Sequence, residues 1–512
     1  MQNPAKFNLP SEFDLERFIG ELGDQYVIKK ELNRTDNIRI YDTFDWRLFN
    51  KSLVLYQLGD KLYLRRLSRS EIIHSVKITS PPFFIWEFPD SKLKEELTSI
   101  MGVRSLLKLV QVQSRTTPYS LLDQEGKTVV HLVYEEIRSS PKKDALMIVT
   151  HLWLLPVKGY PKHARKIFER FENAMLVINT EDDIYFKGLE VVNKKSGSYS
   201  SKVKIQLDPN MRSDDATKVI LRFLLQIIRI NEVNIEKDLD TEFIHDFRVA
   251  VRRTRSALGQ IQYVFPSKTT DRFKKDFAFI GKLTNELRDL DVYLLKEDTY
   301  KEKLTPVLSD GIDPLFGYLR EKRSKAFQKV IRGLKSKKYA NILKDWEAFL
   351  DKPQQSSSTA SNAQLSIIDL ASKRIYKKYL SVVKAGNLIL EKSDDRMLHV
   401  LRIHCKKLRY LMEFFSSLFP PKKMNILIDQ LKKLQDNLGN FNDLRVQEEY
   451  LMAIARELPV TQEQLKKKLL AIGGLVGILG RERQIVKDTF AKTFTDFASP
   501  GNNDLFQELF IS

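Results

Sequence analysis

His245, Arg248, Arg252, Arg253 and Arg255 set a histidine ahead of bases three, seven, eight and ten positions later. His399, Arg402, Lys406, Lys407 and Arg409 repeat that spacing. These side chains donate hydrogen bonds and carry positive charge. No nucleophile or paired carboxylate accompanies them, so the chemistry they suit is anion binding rather than bond cleavage. Arginine dominates the first set, and its planar fork matches two phosphate oxygens at once. Two histidines at matched positions among bases read as phosphate-contacting or network groups rather than general bases.

Helical geometry explains the spacing. At about 100° per residue, Arg248, Arg252 and Arg255 fall within roughly 80° of His245. The opposite face holds Ile244, Phe247, Val251, Leu258 and Ile261, and in the second stretch Leu401, Cys405, Leu408, Met412 and Phe415. Each helix thus has an apolar side for a core and a basic ridge about 15 Å long, at a rise of about 1.5 Å per residue. A solvated charge face usually carries acids at i+4 spacing, and none is expected on these ridges. Repelling charges held so close call for an extended anion.

The offset between the stretches, 399 minus 245, is 154 residues. The same offset carries Phe265-Pro266 onto Phe419-Pro420 and Asp289-Leu290 onto Asp443-Leu444. A register kept that far indicates an internal duplication of a multi-helix unit. The halves are expected at about 210–350 and 364–498. Between them lies a linker at 351–363, rich in serine and glutamine from Pro353 onward.

The doubled stretch resembles the conserved histidine α-helical domain, CHAD. Leu287-Arg288-Asp289-Leu290-Asp291-Val292 and Leu438-Gly439-Asn440-Phe441-Asn442-Asp443 resemble that family's second signature. The resemblance runs from about Asp214 to Phe497. It implies two similar helical bundles whose basic helices line a pore or groove that binds inorganic polyphosphate without hydrolysing it. The ten basic and histidine residues named above are the binding residues it implies. Asp289 and Asp291 read either as acids that orient the ridge arginines or as ordinary surface acids.

Residues 1–205 read differently. Short β-like runs lie at Asn37–Tyr41, Leu53–Leu58, Lys61–Leu67, Glu71–Ile78, Thr128–Glu136 and Leu146–Leu155, with helices at Asp14–Gly23, Lys162–Ile178 and Ser91–Leu109. Tyr41-Asp42-Thr43-Phe44-Asp45-Trp46-Arg47-Leu48 resembles the Y-D-T-x-D-x-x-L signature of CYTH, or triphosphate-tunnel, domains. That resemblance implies an eight-stranded antiparallel barrel with a metal-dependent phosphatase site. The glutamates of the enzyme signature E-x-E-x-K are replaced by Gln2 and Pro4, with Lys6 retained. A degenerate, non-catalytic domain is expected, with no cofactor and no bound metal. Of Lys61, Arg65 and Arg66, at least half are expected outside the barrel.

The expected fold is multi-domain α+β: the barrel, then an all-α duplicated bundle at 210–510. Within the bundle, Asp215 is expected to cap a helix. The first motif helix should run to Val264 and be followed by an unbroken helix Asp271–Lys296. The second should run Arg396–Phe419, Gly439 should end a helix, and the tail from Ser499 should fray. The chain has 512 residues, a formal net charge of +19 and one cysteine, Cys405. That charge favours a polyanion partner, and the lone cysteine suits a reducing cytosol. No apolar run spans a bilayer, so no membrane partner is expected.

The leading expectation is polyphosphate binding, in the cytoplasm and on polyphosphate granules with their proteins. A metal-dependent tri- or polyphosphatase is the alternative. Nucleic-acid binding ranks last, because the ridges offer only Tyr410 as a stacking platform.

Overall fold

The computed structural model describes residues 4–67, 72–139, 146–174, 176–178, 183–353, 360–392, 395–457 and 462–511. The chain divides into two compact units, Met1–Ser200 and Ser201–Ser512, five residues ahead of the boundary expected at 205.

The first unit is one antiparallel sheet. Its strands are β1 (Ala5–Asn8), β2 (Val27–Lys30), β3 (Arg34–Thr43), β4 (Leu53–Leu58), β5 (Lys61–Arg66), β6 (Ile72–Lys77), β7 (Leu106–Leu122), β8 (Thr128–Arg138), β9 (Met147–Pro156) and β10 (Val177–Ile178). They pair in the order β10-β1-β9-β8-β7-β3-β4-β5-β6, with β2 also on β7. Among the described residues the path ends at β6 and β10, which are not paired with each other.

The central and longest strand, β7, was not among the expected strands, and its start fell within the helix expected over Ser91–Leu109; its Pro118 removes a ladder donor, which disfavours an inner strand. Pro118 sits where the neighbour of β7 changes. The β3 pairing stops at Arg34–Thr116 and the β2 pairing starts at Lys30–Tyr119. The missing N–H therefore falls in a gap between two partners. The helix expected over Ser91–Leu109 is Lys92–Met101, ended by Gly102 at φ 55°. The helix expected at Lys162–Ile178 stops at Asn173 and yields to β10. A further helix occupies Asp183–Val191.

The Tyr41–Leu48 signature is a turn lock. The Asp42 carboxylate accepts the backbone N–H groups of Thr43, Leu48 and Phe49 at 2.7, 2.9 and 2.9 Å. Asp45 accepts from Thr43 Oγ1 at 2.8 Å and pairs with Arg47 at 3.0 Å and the fully buried Arg104 at 3.5 Å. These bonds hold Trp46 at φ 59°, a conformation unfavourable for its bulk.

The second unit is helical, and the duplication is visible in it. The first motif helix is Thr241–Gln260 and the second is Asp395–Phe414, which the 154-residue offset superposes end to end. The helices before them, Ser213–Ile235 and Ile367–Lys392, share a start at that offset. Asp215 lies inside the first turn of Ser213–Ile235 instead of capping it. The first motif helix stops at Gln260, short of Val264. The second is followed by a separate 3-10 turn, Ser416–Leu418.

The copies then diverge. In the first half the helix breaks at Thr284, between Ser267–Leu283 and Asn285–Leu294. In the second half one helix, Pro421–Glu457, runs through Gly439, which was expected to end it. Leu431, Leu434, Leu438 and Phe441 bury one continuous stripe across that glycine. Their burial outweighs the glycine cost of about 1 kcal/mol.

Both apolar faces read from sequence are core: Ile244, Phe247, Val251, Leu258 and Ile261 are buried, as are Leu401, Cys405, Leu408, Met412 and Phe415. The tail expected to fray is a helix, Pro500–Phe510. Phe506 stacks on Tyr379 at 3.8 Å and Phe510 packs edge-on against Phe419 at 4.8 Å, so apolar burial holds it. Of the expected linker, 354–359 lies outside the described residues. Its end is ordered by Ala363, buried, and by Asn362 bonding to the backbone of Tyr263.

Gly386 supplies a direct test of the packing. A Cβ there would fall on the Phe494 ring. Gly386→Ala is expected to destabilise the helical unit by about 1–3 kcal/mol, read as a lower urea midpoint.

Candidate anion-binding site

The two motif helices cross and touch directly. Arg252 Nε donates to Tyr410 Oη at 2.8 Å, and Gln260 Nε2 to the Lys407 carbonyl at 3.2 Å. Arg253 Nη2 meets Glu413 Oε2 at 2.6 Å. Arg252 of the first helix therefore lies against the Arg402, Lys406 and Arg409 side of the second. Its charge acts on both Arg402 and Lys406.

Electrostatics confirm the crowding. Burial, and then the charges of Arg402 and Arg252, push the Lys406 ammonium down to about 8. Burial likewise lowers Arg402 and Arg248, with Arg252 adding to each shift. Lys406 makes no hydrogen bond or ion pair among the described residues. Asp443 and Asp289 offset only part of this repulsion, and an anion would supply the rest.

The remaining expected residues divide by location. His245, the fifth residue of its helix, is half-buried, and Arg255 is exposed. Arg248 is half-buried, and its Nη1 donates to Gly281 O at 3.2 Å, Thr284 Oγ1 at 3.0 Å and Asn285 Oδ1 at 2.6 Å. The helix break at Thr284 presents those acceptors. His399 is exposed, with Nδ1 3.0 Å from Asn442 Oδ1. The Asn442 amide nitrogen turns to Asp443, which leaves its oxygen facing His399 Nδ1. Arg402 reaches Asp443 at 3.4 Å.

Two residues depart from the ridge. Arg253 is only 9% exposed and is spent on Glu413 and the Ser201 carbonyl, at 2.6 and 2.9 Å. It holds the two halves together. Lys407 points to a different face, where its charge and that of Lys378 add to burial in lowering His404.

The ridge also carries an acid at i+4, against expectation: Arg409 Nε pairs with Glu413 at 2.7 Å. Glu413 thus serves both Arg409 and Arg253. The Arg409 to Glu413 spacing was legible; that Arg253 would share the carboxylate was not, because it depends on the crossing of two helices.

The acids of the second signature split. Asp289 lies by Arg248 and Arg288, although burial pushes its carboxyl up. Asp291 is buried and pairs with Arg323 at 2.7 Å, so it supports the fold. Below the ridge, Tyr293 and Tyr450 stack at 4.1 Å and join the halves. Arg288, half-buried beside these acids, is a basic neighbour of the ridge that the doubled pattern missed, because its counterpart in the second half is Asn442.

In the first unit a cavity of about 200 Å³ is lined by Lys6, Tyr56, Arg65, Glu135 and Trp153, among others. Lys61 and Arg66 are exposed, so of the three bases considered for the interior only Arg65 lines it. Glu135 was missed in the sequence, although it stands in the strand read at Thr128–Glu136. It accepts from Ser114 Oγ at 2.7 Å and Trp153 Nε1 at 2.9 Å and lies 3.2 Å from His151 Nδ1. Those bonds hold its carboxyl below the ordinary range despite burial. No helix among the described residues is long and apolar enough to cross a membrane.

Residues 219–452 match the CHAD domain family model, so the second unit contains a CHAD domain. An uncharacterised protein found in two strains of Mycobacterium tuberculosis is 23% identical over 211 residues. That stretch is 41% of this chain and 40% of the relatives' own length. The crystal structure of the CHAD domain from the plant Ricinus communis aligns with a TM-score of 0.48 at 23% identity, covering 58% of this chain and 96% of that one. PptA from Streptomyces chartreusis aligns at 0.43 and 13% identity, covering 56% and 100%. The matched family span ends at 452, yet the helices Gln462–Asp488, Phe490–Phe497 and Pro500–Phe510 continue the second half.

Proposed function

We propose that the helical unit binds inorganic polyphosphate and does not hydrolyse it, with a place on polyphosphate granules in the cytoplasm. One observation carries this reading. Arg252, Arg402 and Lys406, from two helices of a duplicated CHAD domain, share one electrostatic environment in which Lys406 is driven down to about 8. A chain of closely spaced phosphates is an extended anion that fits such a ridge. Contacts of this kind carry no sequence information and weaken with salt, as in phosphate-dominated nucleic-acid binding. The first unit fits a degenerate triphosphate-tunnel-like domain kept for packing or partner contact.

A second reading has its own support, the Lys6, Arg65 and Glu135 cavity. There a metal-dependent phosphatase would need carboxylates to hold a cation. Glu135 is the carboxylate lining that cavity, and it is engaged by three neighbours. Calorimetric titration with long-chain polyphosphate, with and without magnesium, tests both readings if phosphate release is followed. Binding without release is the expected result. Release that is lost on Lys6→Ala would move the function to the first unit. An oligonucleotide that displaced polyphosphate at equal phosphate concentration would favour nucleic acid.

The state of Lys406 sets a pH dependence. An anion raises its pKa above the free value of about 8, so binding takes up a proton as pH climbs past that point. Polyphosphate affinity is therefore expected to fall above pH 8, by up to about tenfold per unit. Terminal phosphates titrate lower, near pH 6, and do not add to the slope. Lys406→Arg should flatten it. An identical slope in that variant would assign the proton elsewhere.

A further inference from the structure

The two halves of the ridge match in sequence but differ in how much of their donor capacity the protein itself uses. In the first half the break at Thr284 turns the Gly281 carbonyl, Thr284 Oγ1 and Asn285 Oδ1 toward Arg248, and all three take hydrogen bonds from its Nη1. In the second half the helix runs unbroken through Gly439, the position equivalent to Asn285, and offers no such acceptors. Arg402, the counterpart of Arg248, has only a long contact of 3.4 Å to Asp443. Its Nε is buried with no acceptor among the described residues. Among the described residues Lys406, one turn on, is unpaired, and Arg252 crosses over to them with only its Nε engaged, by Tyr410.

Resting on the polyphosphate reading above, we propose that this corner, formed by Arg402, Lys406 and Arg252, is an anchoring subsite that takes a short oligophosphate by itself. Arg248 and the first-half ridge add affinity only when the chain is long enough to extend past it. The physical reason is the state of each donor before binding. The Arg248 Nη1, already bonded to three protein acceptors, must exchange those bonds for phosphate bonds, so that nitrogen adds little net gain. The Arg402 guanidinium, held by packing with only the long Asp443 contact, lies beside an ammonium with no bond among the described residues, and gains charge-assisted bonds while giving up little. The corner is also compact, since three cations from two helices meet there, which suits two or three adjacent phosphoryl groups. Binding is then graded by chain length: one end or segment seats at the anchor, and the rest lies along the first-half ridge.

The test is calorimetry on the full chain with two probes, tripolyphosphate and long-chain polyphosphate. Four proteins are compared: wild type, Arg402→Gln, Lys406→Gln and Arg248→Gln, with circular dichroism on each to verify the helices. Tripolyphosphate is expected to bind the wild type. Arg402→Gln and Lys406→Gln should each weaken it by about tenfold or more, the value of one charge-assisted bond. Arg248→Gln should weaken tripolyphosphate by less than about threefold and long-chain polyphosphate by clearly more. Equal losses of tripolyphosphate in Arg248→Gln and Arg402→Gln would overturn the anchor. So would long chains binding tightly while tripolyphosphate does not bind. If neither probe binds the wild type, the polyphosphate reading itself fails.

Discussion

The double reversal Arg252→Glu with Lys406→Glu is expected to lower long-chain polyphosphate affinity by about a thousandfold or more while leaving the helical content unchanged. Each side chain contributes a charge-assisted contact of about 1.5–3 kcal/mol, and reversal adds repulsion where attraction stood. Two such losses correspond to about 10²–10⁴ in affinity before repulsion is counted. The fold should tolerate the change. Arg252 is exposed, Lys406 has no bonded partner among the described residues to lose, and Tyr410 Oη can donate to a carboxylate at position 252. Calorimetry checks the affinity and circular dichroism the helices. Unchanged affinity in a folded double variant would sink the polyphosphate reading.

The second large effect concerns stability, and it separates Arg253 from its neighbours on the motif. Glu413→Ala is expected to destabilise the helical unit by about 3–5 kcal/mol, because it leaves the buried Arg253 guanidinium without a counter-charge. Arg253→Met should cost less, since Glu413 keeps Arg409 at 2.7 Å. Urea titration measures both. Below the unfolding transition, Arg253→Met should bind polyphosphate with an affinity within about threefold of wild type, as its guanidinium is already occupied. A loss like that of Lys406→Gln would return Arg253 to the binding surface.

The contrast shows what a helical wheel can and cannot say. The apolar faces of both motif helices were legible, because core packing enforces the 3.6-residue period and nothing else in the chain competes with it. Arg248, Arg252 and Arg402 were legible as cations on one side for the same reason. Arg253 lies about 80° from His245, at the ridge's edge. Periodicity alone does not say which edge a neighbouring helix covers, and the partner helix with Glu413 covers that one. The sheet shows the same limit. Pro118 disfavours an inner strand by local rules, and only the handover from β3 to β2 makes its missing N–H harmless. Gly439 read as a stop, and the apolar stripe around it overrode the signal. The tail read as frayed because its few aromatics find Tyr379 and Phe419 only in three dimensions.

The Arg253–Glu413 pair has no mirror image. The positions related to it by the duplication are Lys407 and Gly259, which offer no carboxylate. Two first-half motif helices from separate chains could not therefore dock on each other as the two halves of one chain do. Arg253 would face Gly259 and remain buried and unpaired, at a cost of several kcal/mol. The drift of one copy away from the other thus gives each helix a single acceptable mate. It disfavours assemblies in which like halves of two chains stack, which a symmetrical repeat would otherwise invite.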